Sequence, residues 1–209
     1  MSTHEKEVSV IVPSDVHAGR YDGDDVDLAA NAVLEAAFVV EPVATAKVQA
    51  AAAATGGAVE RADSQLKTRS SVLAKLTRFR SSISPRYRLE RFNDALRYTI
   101  VFIDLSYWRA AEATVGEFQL NGWSVKDIAR GWTARGYKGL NLTIITPGGF
   151  HFEVQLHTSQ SLATAERTHR LYAEQRDLSR RSKRWRELER IQQEAWNTVP
   201  VPPGRLELP

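Results

Sequence analysis

Residues 150–157, FHFEVQLH, set a carboxylate, an amide and an imidazole (Glu153, Gln155, His157) at every second position, alternating with Phe152, Val154 and Leu156. This is the period of a half-buried strand with one apolar and one wet face. A wet face is usually built from Lys, Thr, Ser or Arg. A row of Glu, Gln and His is either a solvated edge of another kind or the floor of a site. Upstream, Lys67, Ser71 and Lys75 stand at i, i+4 and i+8, with Arg78 close to the same line. A helix over this segment puts them on one stripe. Two ammoniums and a hydroxyl undiluted by acids suit a triphosphate, or they line a solvated helix face.

Asp94 precedes the apolar run ALRYTIVF. A carboxylate there is a turn residue or cap. If FHFEVQLH pairs in the same sheet, Asp94 and Glu153 converge on one face, and two carboxylates beside a polyphosphate grip suit Mg²⁺. In GYKGLN, Tyr137 lies between glycines and next to Lys138. It is a core or turn tyrosine, or, if exposed beside Lys138, a stacking surface for a base. Glu166, His169 and Tyr172 fall on one helical face, as a helix–sheet contact or as support for the Glu-Gln-His row. His157 and His169 lack the third close ligand that a zinc site needs.

These residues need a sheet and helices to hold them. The patterns predict helices at about 26–38, 43–55 and 69–82, with the Gly pair of ATGGAVE as a helix stop. Strands are predicted at 96–103, 140–146 and 150–157, the last two flanking Gly148-Gly149 as a hairpin. A helix is expected over 107–122, ending at Gly122, and WSVKDIARGW is ambiguous between strand and loop. Helical pattern then runs from Ser159 to about Asn197 with a break near 178–182. The expected class is α+β, a mixed, largely antiparallel sheet of about five strands flanked by helices. The organisation is an irregular leader (1–25), one domain (26–197) and a Pro-rich tail (198–209). Within the domain come N-terminal helices (26–82), a sheet core (93–158) and C-terminal helices (159–197).

The 209 residues, 43% hydrophobic, suffice for one domain with a real core. With no cysteine there is no disulfide framework, thiolate metal site or thiol nucleophile. No apolar run approaches the roughly 18 residues of a membrane span, and the start lacks a secretory signal. The expectation is a cytoplasmic protein, or a cargo exported without such a signal. The net charge of +3 is unevenly spread. Residues 1–60 hold ten acids and three bases, residues 64–91 eight bases and one acid, and residues 167–190 nine bases and four acids. The basic stretches point to phosphates or are solvated helix faces.

Five segments in order, KTRSSVLAK (67–75), NDALRYTIV (93–101), GYKGLNL (136–142), FEVQLHT (152–158) and AERTHRLY (165–172), resemble the motifs of RelA/SpoT-type alarmone synthetases. The resemblance covers roughly residues 55–175 and is nearest the branch of nucleotide 3′-pyrophosphokinases and related toxin domains. It implies that fold, and transfer of pyrophosphate from ATP to the 3′-hydroxyl of a purine nucleotide (GDP, GTP, ADP or ATP) with release of AMP. It further implies that Lys67, Ser71 and Lys75, with Arg78, hold the ATP phosphates and that Asp94 binds Mg²⁺. Tyr137 would stack on the acceptor base, and Glu153 would bind the metal or help deprotonate the 3′-hydroxyl. Gln155 and His157 would line the pocket, with Lys138, Asn141, Glu166 and His169 on the substrate side.

Three positions depart from the family pattern. Thr99 stands where an arginine is usual, with Arg97 two residues earlier on the same strand face as a substitute toward adenine or a phosphate. Asn141 replaces a histidine and His157 an arginine, which bears on acceptor choice more than on reaction type. The absence of an HD dipeptide argues against the hydrolase of bifunctional relatives. A synthetase without that eraser fits a toxin or effector paired with an immunity or antitoxin protein. Two rivals remain: the 3′ end of tRNA as acceptor, engaged by the basic helix, and a non-catalytic nucleotide- or RNA-binding module. The second predicts a broken carboxylate pair, whereas Asp94 and Glu153 are both present.

Overall fold

The computed structural model describes residues 26–61, 65–79, 92–133 and 136–204. The leader 1–25, the end of the expected helix 69–82 and the last five residues of the tail lie outside them. The elements are α1 (Val26–Thr55), β1 (Ala58–Glu60), α2 (Arg69–Phe79), β2 (Arg97–Phe102), α3 (Tyr107–Phe118), β3 (Ser124–Arg130), β4 (Leu140–Ile145), β5 (His151–Thr158), α4 (Ser159–Arg176) and α5 (Lys183–Asn197). The sheet order is β1-β2-β5-β4-β3. Only β2 and β5 run parallel, all other neighbours being antiparallel. The fold is thus α+β on a mixed five-stranded sheet.

Strand period sorts the side chains. Tyr98, Ile100 and Phe102 of β2, Phe152, Val154 and Leu156 of β5, and Leu140, Leu142 and Ile144 of β4 are all buried. They join α1 and α3 in one core, the main favourable term for folding. Tyr107 of α3 donates to the Leu156 carbonyl at 2.9 Å and accepts from Trp132 Nε1 at 2.9 Å, tying helix, sheet and the loop after β3. The opposite sheet face carries two polar rows fixed by register: Thr143, Glu153 and Arg97, then Asn141, Gln155 and Thr99.

The two helices expected at 26–38 and 43–55 are one continuous helix with Pro42 inside it. Proline removes the hydrogen bond to the carbonyl of Phe38. Phe38 is 72% exposed, so water is at hand to take that carbonyl. The buried stripe Val33, Ala37, Val40, Ala44, Val48 runs on across the proline and packs both halves onto one core. The helix is long and apolar enough to cross a membrane, unlike the expectation above, but it presents this stripe to the protein interior. At its end Gly56 takes φ +72°, as expected of a helix stop, and a Cβ on Gly57 would lie 2.5 Å from Ile100 and Phe102.

Other boundaries shift locally. α3 stops at Phe118 rather than Gly122, which instead takes φ +79° in the following turn. The ambiguous WSVKDIARGW segment supplies β3, whose pairing with β4 is interrupted by a register shift between Val125 and Asp127. The β4–β5 turn closes with Gly149 N–H on the Thr146 carbonyl, Gly149 at φ +84°. In the tail, the Pro202 carbonyl accepts from Trp108 Nε1 at 2.9 Å, so that stretch lies on the core.

Candidate active site

The segment 65–67 does not begin the helix. Leu66 forms a bridge with Leu96, Lys67 N–H donates to the Ala95 carbonyl (2.9 Å), and Arg97 N–H donates to the Gln65 carbonyl (2.8 Å). Lys67 therefore reaches the site from an extended edge segment, correcting the single-helix stripe drawn from spacing. α2 starts after Thr68, whose hydroxyl accepts from Ser71 N–H at 3.3 Å, the N-cap arrangement. Ser71 lies exposed in the first turn with its Oγ 2.9 Å from Thr68 Oγ1.

Lys67 and Lys75 still converge, and the point of convergence is Asp94. Its carboxylate meets Lys75 Nζ at 2.5 Å, Lys67 Nζ at 2.7 Å and Arg97 Nη2 at 3.2 Å. Asp94 is 6% exposed. Burial alone would raise its pKa, but the charges and hydrogen bonds of Lys75 and Lys67 prevail and hold it at about 2. Burial also lowers the Lys67 pKa, against the pull of Asp94. Lys75 Nζ further sits 4.8 Å from the Phe92 ring centroid. The loop bearing Asp94 is fastened to the sheet by Asn93 Nδ2 donating to Thr143 Oγ1 at 2.7 Å.

Arg97 joins this group to β5. Its Nε lies 3.0 Å from Glu153 Oε1, so one guanidinium contacts both acids. Gln155 Nε2 donates to Glu153 Oε1 at 2.6 Å and orients the carboxylate. The donor set suits Mg²⁺ in a limited way. Among the described residues no group of three or more His, Cys, Asp or Glu forms a cage, but Mg²⁺ commonly takes one or two carboxylates and completes its shell with phosphate oxygens and water. A cationic group, Arg97, already stands between the two acids. They fit a metal that arrives with phosphates.

The acceptor-side residues behave differently from expectation. Tyr137 is half-buried, edge-on to His157 (5.5 Å) and Trp196 (5.3 Å), rather than lying open beside Lys138. Its hydroxyl donates to Asn141 Oδ1 at 2.7 Å and lies 2.9 Å from His157 Nε2. Burial, then the nearby Glu153, push its pKa up. Lys138 is buried and its ammonium donates to the Thr133 carbonyl, so it closes its own loop instead of facing a ligand. His157 shares the strand face of Glu153 and Gln155 but is fully buried. Burial, then the charge of Arg61, lower its pKa to about 4, so it is a neutral imidazole. It touches Tyr137 rather than standing open beside Glu153 and Gln155.

Three expected site residues lie elsewhere. Arg78 Nε donates to the Ala74 carbonyl, and its Nη1 faces Asp177 at 3.6 Å rather than Asp94. Glu166 pairs with Arg61 at 2.9 Å, on the surface between the end of β1 and α4. His169 is exposed on α4. Both departures follow from α4 turning its Ser161, Leu162, Thr164, Thr168 side inward. Asn93, Thr143 and Arg61 escape the sequence reading because each is a common polar residue whose partner is distant in the chain, and Ser161 because its role appears only once the cap that follows β5 sets its hydroxyl against His157.

No family model matches the sequence, and no curated protein matches it. Among solved structures, the chain is similar to the Type VI effector Tas1, crystallised as a complex with its immunity protein, at TM-score 0.55 and 19% identity over 79% of this chain and 93% of that one. Small alarmone synthetase 1 from Bacillus subtilis aligns at TM-score 0.48 and 18% identity, over 75% of this chain and 88% of that one. A second structure of that synthetase, bound to its product pppGpp, aligns at TM-score 0.45 and 18% identity, over 67% and 71%. The fold is one that this chain shares with Tas1.

Proposed function

We propose that this chain transfers pyrophosphate from ATP to the 3′-hydroxyl of a free purine nucleotide, releasing AMP. The observation that carries the reading is the convergence of Lys67, Lys75 and Arg97 on Asp94, beside Glu153 on one sheet face. Such transfer needs charge neutralisation and in-line positioning more than a protein nucleophile. Lys67 and Lys75 have a triphosphate as the natural alternative partner to Asp94. Ser71, in the first turn of α2, adds a hydroxyl at the positive end of the helix. Mg²⁺, held by Asp94 and Glu153, would neutralise charge developing on the phosphate oxygens.

The acceptor 3′-oxygen attacks the β-phosphorus. A new O–Pβ bond forms, the bond from Pβ to the oxygen bridging it to Pα breaks, and AMP leaves with that oxygen. The proton of the 3′-hydroxyl passes to Glu153, held in place by Gln155 and Arg97. Tyr137 and Asn141 face the acceptor. The likeness to a Type VI effector supports delivery as a toxic cargo with a neutralising immunity protein.

Free nucleotide is favoured over tRNA because the acids of the basic C-terminal hairpin are engaged. Arg184 holds Glu174 and Glu187, and Asp177 faces Arg78, which fits a solvated helix pair. The test is purified protein with γ-labelled ATP, Mg²⁺ and a panel of GDP, GTP, ADP, ATP and bulk tRNA, resolved by chromatography. Labelled nucleotide with AMP release is expected, and Glu153→Gln should lower turnover about 10²-fold or more with folding intact. Label on tRNA alone would replace the free-nucleotide reading, and no label on any acceptor would overturn the enzyme.

A further inference from the structure

We propose that His157 is a positioning residue: it fixes Tyr137, and through it Asn141, so that the Asn141 amide N–H group is presented to the acceptor nucleotide. The assignment rests on the pyrophosphokinase reading above. Four side chains form one chain of contacts. Ser161 Oγ lies 2.8 Å from His157 Nδ1, His157 Nε2 lies 2.9 Å from Tyr137 Oη, and Tyr137 Oη donates to Asn141 Oδ1 at 2.7 Å.

Proton counting fixes the direction. Tyr137 has one proton and spends it on Asn141, so the contact to its oxygen must be filled by His157 Nε2–H. A neutral imidazole protonated at Nε2 has a bare Nδ1, which takes the Ser161 proton. Ser161 also stands 3.1 Å from the Thr158 carbonyl, the longer of its two choices. The chain is anchored where α4 begins, because Ser161 Oγ accepts from Thr158 N–H at 2.9 Å as part of a capping box. Burial keeps His157 neutral, which the scheme requires.

At the other end, Asn141 Oδ1 is committed to Tyr137. Its Nδ2 has no hydrogen-bond partner among the described residues and is not a buried orphan, so it is open to solvent. Register places Asn141 directly opposite Gln155, one row from Glu153. The donor therefore stands beside the carboxylate that faces the 3′-hydroxyl.

Two measurements test this. In ¹⁵N–¹H correlation spectra of the wild-type imidazoles at pH 7, with His157 assigned by its loss in His157→Gln, Nε2 should be protonated and Nδ1 bare. A protonated Nδ1 reverses the chain, turns Asn141 Oδ1 to the cleft and overturns the proposal. In steady-state transfer, His157→Phe and Tyr137→Phe should each raise the acceptor KM about tenfold or more, the scale of one lost oriented hydrogen bond, with the ATP KM within about twofold. His157→Gln, whose amide can donate to Tyr137 and accept from Ser161, should recover most of the loss. Tyr137→Phe keeps the packing, so it serves if His157→Phe does not fold. Equal changes in both KM values, or none, overturn the positioning role alone. A wild type that modifies and binds no purine nucleotide overturns the pyrophosphokinase reading, and this assignment with it.

Discussion

Arg97 Nε stands 3.0 Å from Glu153 Oε1, yet its N–H is not aimed at that oxygen and has no other acceptor in the described structure. The pair is thus a charge contact without a hydrogen bond, and a buried N–H left in that state costs about 1–3 kcal/mol. Arg97 gains a bond by turning toward an incoming phosphate. Arg97→Met keeps the chain length and leaves Asp94 with two lysines and Glu153 with Gln155. It should change stability by less than about 1 kcal/mol, since the lost ion pairs are offset by removal of the orphan. Transfer should fall at least about tenfold. Urea unfolding and product chromatography on one preparation would decide, and a collapse in stability with unchanged turnover would refute a ligand-binding role.

Asp94 gives an acid-range signature. Its folded pKa of about 2 lies below the ordinary 3.8, so the unfolded chain takes up a proton first. The stabilisation is full above pH 4, shrinks as pH falls from about 4 to about 2, and is gone below. Just under two pKa units correspond to about 2–3 kcal/mol. Comparing wild type with Asp94→Asn by urea titration from pH 5 to 2.5, the difference should contract on acidification by about 1–2 kcal/mol, the part of the linkage that titrates above the folded pKa. A constant difference would mean that the lysines do not hold the carboxylate as described.

The Glu153, Gln155, His157 row was legible because strand period alone puts alternate residues on one face, and the register of β5 with β2 and β4 keeps that order. Burial of His157 was not, since it depends on Ser161 of the following helix cap. Lys67 and Lys75 were grouped correctly from a helical spacing that Lys67 does not obey: pairing of 65–67 with 95–97 holds it extended. The placing of Asp94 depends on the Asn93–Thr143 bond, between residues 50 apart in sequence, which no local pattern encodes. The break expected between the helices at 26–38 and 43–55 does not form, because the cost of Pro42 is local while the apolar stripe of α1 that overrides it spans the whole helix.

Gly139 tests the acceptor side by volume. A Cβ there would stand 2.8 Å from Tyr137 Oη, 2.9 Å from its Cζ and 3.0 Å from His157 Cε1. These atoms cannot easily give way, as Tyr137 is held by Asn141 and Trp196. Gly139→Ala should cost about 1–3 kcal/mol through overpacking, and raise the acceptor KM more than the ATP KM. Denaturant midpoints and two-substrate kinetics measure both. A variant with native stability and unaltered acceptor KM would show that this packing does not shape the acceptor site.

His157 predicts a second pH effect, in a milder range than that of Asp94. Its folded pKa is about 4, against an ordinary 6.5, because burial disfavours the charged ring and Arg61 adds a like charge. Among the described residues its side-chain partners are Tyr137 and Ser161, neither of them an acid; the Lys138 backbone favours the imidazolium but is outweighed by burial and Arg61. The unfolded chain therefore binds a proton before the folded one. The stability this neutral ring contributes is complete above pH 6.5, declines as pH falls toward 4, and is lost below. At pH 5 the unfolded histidine is protonated and the folded one is not, a gap of about 2 kcal/mol. His157→Gln cannot titrate, so the wild type should lose about that much more stability than the variant between pH 7.5 and 5, other carboxylates cancelling in the comparison. Thermal unfolding of both proteins at pH 7.5, 6 and 5 reads the difference. Parallel curves would mean that the ring is charged or exposed in the folded state, and the chain from Ser161 to Asn141 would then lose its neutral link.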